Sequence, residues 1–166
     1  MKKPSLIVAA VLAALATSAA IADTASSTFK VLITVTKACS VTAGTASNID
    51  FGSVTSTATA LSASSNISVT CSKSTPYNIG LLPSNSSTTG AGVMSNTGPD
   101  TIAYQLRSAS ATGPIWGNTA TPTDVGNGVA GTGTGAAQSI PVWATVASVN
   151  VTPGAYLDTV TVQVNY

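Results

Sequence analysis

Thr159-Val160-Thr161-Val162-Gln163-Val164-Asn165-Tyr166 alternates polar and apolar residues without a break. Successive side chains of a strand point to opposite faces, so this run puts Val160, Val162, Val164 and Tyr166 on one face and polar groups on the other. Valine and threonine, branched at Cβ, suit a pleated surface. The same period recurs upstream in Phe29, Val31, Ile33 and Val35, in Ile67, Val69 and Cys71, and in Tyr77, Ile79 and Leu81. It returns in Ile102, Tyr104 and Leu106 and in Ile140, Val142, Ala144 and Val146. Turn-rich stretches at residues 44–48, 83–92, 96–100 and 113–135 separate these runs. No segment beyond Ala22 carries a sustained helical stripe. The expectation is an all-β sandwich of short strands with Gly- and Pro-rich connections.

The first residues read differently. Lys2 and Lys3 form a basic start, residues 6–16 are uninterruptedly apolar, and Ala20-Ile21-Ala22 places small residues where a signal peptidase cuts. The alternative, a membrane anchor, fits less well: the stretch is Ala-rich, broken by Thr17 and Ser18, and has no basic stop. Residues 1–22 are therefore predicted to be a secretory signal peptide, with an exported, soluble product beginning at Asp23.

Composition narrows the function. Of 166 residues only 7% are charged, against roughly 25% in ordinary domains, and there is no His. The acids are Asp23, Asp50, Asp100, Asp124 and Asp158, with no Glu among them. Net charge is +1, and loss of the leader leaves Lys30, Lys37, Lys73 and Arg107 against those five acids. Nothing here attracts nucleic acid or an anionic membrane. Without His or Glu, most acid–base chemistry and most zinc sites are excluded. No serine can be paired with a histidine base. Lys30, Lys37 and Lys73 read as edge charges that blunt strand pairing. A glycosidase would need two facing carboxylates, for which Asp50 and Asp158 near strand ends are the candidates. The expectation is no catalysis, no cofactor, no metal and no small-molecule substrate. The sequons at Asn66, Asn85 and Asn150 are expected by chance in so Ser/Thr-rich a chain.

Cys39 and Cys71 are the only cysteines, and in an exported chain they read most simply as one disulfide. Residues 113–135 carry Gly126, Gly128, Gly131, Gly133 and Gly135 among small residues. No Gly-Lys-Ser/Thr ends this stretch, so it reads as a flexible loop and not a phosphate cradle. Trp116 and Trp143 read as core or partial core. Trp143 is out of phase with Val142 and so is the better candidate for an outward, ligand-stacking face.

The segment after the leader is the most informative. Residues 23–27 are polar, and Phe29, Val31, Ile33 and Val35 then alternate with no turn joining them to anything earlier. Two readings fit equally. The run is the first strand of a closed sandwich, or it is a donor strand that adds to the open edge of another molecule's sheet.

Several ordered motifs bear on that choice. Cys39 follows an alternating run, and Phe51-Gly52, Ile67-Ser68-Val69-Thr70-Cys71-Ser72 and Pro76-Tyr77-x-Ile79 come next. Tyr104-x-Leu106, Trp116-Gly117 and Ile140-Pro141-Val142-Trp143 follow, then Pro153-Gly154-x-Tyr156-x-Asp158-Thr159-Val160 and a terminal Val164-Asn165-Tyr166. Over essentially the whole exported chain this set resembles the spore coat protein U domain family, which includes the major pilins of archaic chaperone–usher pili. Arg107 and Trp143 depart from the family, which often has Tyr at both places.

The resemblance implies an immunoglobulin-like β-sandwich that lacks its last strand. A periplasmic chaperone would lend a strand during folding. The N-terminal segment of a neighbouring copy would then replace it at an outer-membrane usher, giving a head-to-tail homopolymer. On this chain the donor would be residues 23–36, with Phe29, Val31, Ile33 and Val35 (or the phase of Leu32) filling pockets. The sandwich would be residues 37–166. The acceptor groove would be flanked by residues 158–166, with Val160, Val162, Val164 and Tyr166 along it. The run stops at Tyr166 with nothing left for a further strand, and the terminal carboxylate would be the chaperone's anchor. The implied role is a structural subunit of a surface fibre supporting adhesion and biofilm formation. Two rivals stand beside it: a secreted monomeric carbohydrate-binding module using Trp143 and residues 113–135, and a coat protein assembled without an usher.

Overall fold

The computed structural model describes residues 23–166. The expected signal peptide lies outside the described residues. Among the described residues eight strands follow one another: β1 (Cys39–Thr42), β2 (Thr59–Cys71), β3 (Pro76–Pro83), β4 (Ala91–Ser95), β5 (Thr101–Ser108), β6 (Val129–Thr132), β7 (Ala137–Ser148) and β8 (Val160–Asn165), with one 3-10 turn at Thr45–Ser47. All pair antiparallel, in a five-stranded sheet of order β1-β2-β7-β5-β4 and a three-stranded sheet of order β6-β3-β8.

The alternation seen in the sequence sets which faces meet. Ile67 and Val69 of β2, Leu106 of β5 and Val142, Ala144 and Val146 of β7 point inward from one sheet, and Tyr77, Ile79 and Leu81 of β3 point inward from the other. Trp116 is fully buried between them and donates its indole N–H to the Ile79 carbonyl at 2.9 Å. It is core, as its sequence context suggested. Trp143 is half-buried on the outer face of the five-stranded sheet, opposite Ser64 and Arg107.

Two tyrosines lie over glycines on the neighbouring strand, one in each sheet. Tyr104 of β5 covers Gly92 of β4, and Tyr77 of β3 covers Gly131 of β6. In each pair a Cβ on the glycine would lie within the tyrosine ring. Here glycine is required for room and not for backbone freedom.

Residues 113–135 correct one expectation. They are not a loose loop, because β6 forms within them and side-chain bonds tie the rest together. The Asn127 amide donates to the Thr88 carbonyl at 2.8 Å, and its oxygen accepts from the Thr119 amide and hydroxyl at 3.0 and 2.9 Å. Arg107 donates to the Gly113 carbonyl at 2.8 Å. Glycine richness reads as looseness when each residue is taken alone; Gly131 is there to pass under a ring. A second difference concerns Phe29 to Val35, which alternates like a strand. None of residues 23–38 belongs to a strand. Alternation suits a residue run to a sheet, but a ladder needs a partner.

Candidate functional site

β8 bonds to β3 along one edge, from Val160↔Pro83 to Asn165↔Asn78, and its other edge has no strand partner among the described residues. Its inward residues Val160, Val162 and Val164 pack against the core but stay half-exposed. Such residues in a complete sandwich would be covered by the next strand. In its place is an open groove of about 520 Å³. Val160 and Val162 form one wall, Ile49 and Phe51 the other, and Leu81 and Val142 part of the floor. The second wall belongs to no strand. Besides core packing, the one side-chain hydrogen bond that ties it to a strand among the described residues is Ser65 Oγ donating to the Ala46 carbonyl at 3.3 Å.

The mouth of the groove is firmly held. Tyr156 donates its hydroxyl to the Thr152 carbonyl at 2.8 Å, the back-bond of a tyrosine corner ahead of an edge strand. Leu157 exchanges two backbone bonds with Ser95, both 3.0 Å, and leaves its side chain 69% exposed. Tyr104 crosses from the opposite sheet and donates to Asp158 Oδ2 at 2.6 Å, while the Thr159 amide donates to Oδ1 at 2.8 Å. Partial burial raises the Asp158 pKa, but bonds from Ser84, Tyr104 and Thr159 outweigh it and hold the carboxyl below its usual range. Burial first, then the bond to Asp158 and its charge, push the Tyr104 phenol well up. The neutral phenol and ionised carboxylate thus make a charge-assisted strap between the two sheets.

Asp50 and Asp158, the two acids singled out in the sequence, do line the same groove. Both carboxylates are committed locally, Asp50 accepting from the Gly52 amide at 2.7 Å and Asp158 from the groups above. Val164 of β8 and Tyr166, one residue beyond its end, do not line the cavity. Lys37 Nζ lies 5.7 Å from the centre of the Tyr166 ring, within cation–π range.

Cys39 and Cys71 form the expected disulfide and face each other in register at the start of β1 and the end of β2. Next to it Ser72 brackets Ala38. The Ser72 amide donates to the Ala38 carbonyl at 2.9 Å, the Ala38 amide to Ser72 Oγ at 3.0 Å, and Ser72 Oγ to the Ala38 carbonyl at 3.2 Å. Upstream of this anchor Phe29, Val31, Ile33 and Val35 are 86, 87, 88 and 82% exposed, and Leu32 is 82% exposed. Sequence reasoning singles out these residues and the β8 valines as candidates. It missed Ile49, Phe51 and Tyr104 as groove residues. Ile49-Asp50-Phe51 does alternate, but three residues are too few to read.

Fold and groove together define a class: an immunoglobulin-like sandwich whose last strand stands with one edge bare. The chain belongs to the Spore Coat Protein U domain family, whose model matches residues 25–163. Among solved structures it is similar to the chaperone–tip adhesion subunit pre-assembly complex from archaic chaperone–usher Csu pili of Acinetobacter baumannii, with a TM-score of 0.51 and 26% identity. That similarity covers 80% of this chain and 40% of the other, so this chain spans well under half of the one it matches. No curated protein sequence matches.

Proposed function

We propose that this protein is a structural subunit of an extracellular pilus, exported through the periplasm and assembled by donor-strand complementation with a chaperone and an outer-membrane usher, and that the fibre supports adhesion and biofilm formation. The observation that carries the reading is the bare edge of β8 above a groove walled by half-exposed valines. A strand is the occupant that satisfies both the unpaired backbone and the apolar wall. Residues 29–35 have the composition to supply it. Extended, they span about 20 Å, close to the roughly 17 Å of β8 at ~3.3 Å per residue. Burying Phe29, Val31, Ile33 and Val35 would contribute roughly 6–12 kcal/mol gross at ~1.5–3 kcal/mol per side chain. That suffices for a long-lived joint after ordering costs. The similarity to a chaperone-bound pilus subunit supports the chaperone step.

The test compares the exported chain with one lacking residues 23–36, on a denaturing gel run unheated and boiled. A ladder that collapses on boiling and is absent from the truncated chain is expected. A stable monomer that unfolds on truncation would mean the segment completes its own sandwich, and the polymer reading would fall.

A further inference from the structure

We infer that the Cys39–Cys71 disulfide, with Ser72 beside it, anchors the N-terminal segment so that tension on it does not strip the acceptor groove of the same subunit. The inference deepens the fibre reading and rests on it. In such a fibre each subunit is pulled through its own N-terminal segment, and that pull reaches the sandwich at Ala38 and Cys39.

Cys39 is the first residue of β1, and its partner is the last residue of β2. β1 is four residues long and lies at the edge of its sheet, whereas β2 is thirteen residues long and is paired on both sides. The covalent bond transfers the pull past β1 onto this long strand at its very end. The chain from β1 to the start of β2, residues 40–58, is relieved of load. That stretch includes the groove wall with Ile49 and Phe51, which no ladder holds. Without the bond, only the four-residue pairing of β1 with β2 resists the pull, and β1 shears off and draws the wall after it. The groove then opens, and the strand lodged there loses one side. Tension at one joint would loosen the next. The bond stops that propagation.

The experiment uses the mature, folded chain tethered between residue 37 and the exposed Asn150 just beyond β7, pulled oxidised and after reduction. The oxidised chain should give no step before the main unfolding event. The reduced chain should give an earlier, lower-force step as residues 39–58 pay out, about 70 Å at ~3.5 Å per residue. An identical first rupture in both states would overturn the inference. Should reduction alone unfold the chain, as read from tryptophan emission, the oxidised chain is pulled instead from Thr42, inside the covalent loop. That attachment should yield at lower force than residue 37, and equal forces would again overturn the idea. Failure of the fibre reading shows separately as the absence of a multimer ladder, and leaves the tether result standing.

Discussion

Replacing Gly92 with alanine tests how the two sheets are strapped at the groove. The new methyl would lie within the Tyr104 ring, so the ring must move. Overpacking of this kind costs roughly 1–3 kcal/mol. A displaced ring also gives up its bond to the Asp158 carboxylate, and a bond to a charged group is worth about 1.5–3 kcal/mol. Alanine in a strand returns about 0.5–1 kcal/mol over glycine. The net expectation is a loss of about 2–5 kcal/mol, seen in urea as a lower midpoint at unchanged slope, with buried Trp116 as the reporter. The decisive arm is the same substitution in a Tyr104→Ala background. There the clash and the strap are both gone, and Gly92→Ala should be neutral or stabilising by up to about 1 kcal/mol. An equal cost in both backgrounds would falsify the account. Gly44→Ala is the control: nothing lies within 4 Å and its φ is −149°, so a small gain is expected.

Three other outcomes follow from the groove. Because the folded Asp158 carboxyl sits below its usual range, its stabilisation is complete above about pH 4 and is lost as pH falls through the lowered value. Asp158→Asn should flatten that acid limb, and an unchanged limb in an acid titration of stability would count against the strap. Tyr104 acts at the other end: its stabilisation is complete below about pH 10 and is lost as pH rises beyond it. Val162→Lys places a charge on the groove wall while the half-exposed side chain can still reach water. It should weaken uptake of a labelled peptide of residues 23–36 at least tenfold, about 1.4 kcal/mol, in fluorescence anisotropy, with little change in the melting point of the free chain. Undiminished peptide binding would move the acceptor site elsewhere.

The parts legible in sequence were those governed by short-range alternation. β2, β3, β5, β7 and β8 each announce their inward residues, and the core follows from them. β1 and β4 are four and five residues long and carry too few periods to stand out. β6 hides among glycines because its role is to pass beneath Tyr77. The groove was half legible. Val160, Val162 and Val164 declare an apolar face, but whether a strand covers that face depends on what the rest of the chain brings to it. The Tyr104–Asp158 strap joins residues 54 positions apart, and the wall of Ile49 and Phe51 is held by tertiary packing with no local pattern to signal it.

The bare edge of β8 also has a thermodynamic consequence. If a strand from another molecule fills that edge, as proposed above, the stability of this sandwich is not a property of the chain alone. Any strand that enters the groove binds the folded state and not the unfolded one, so mass action sets the melting point: at a hundredfold excess over its dissociation constant such a strand adds about 2.7 kcal/mol. A melting temperature measured on dilute free chain is then the lower limit of a curve that climbs with strand concentration. On the proposed donor-strand reading, the folded population then depends on how many open edges and free N-terminal segments share the same volume.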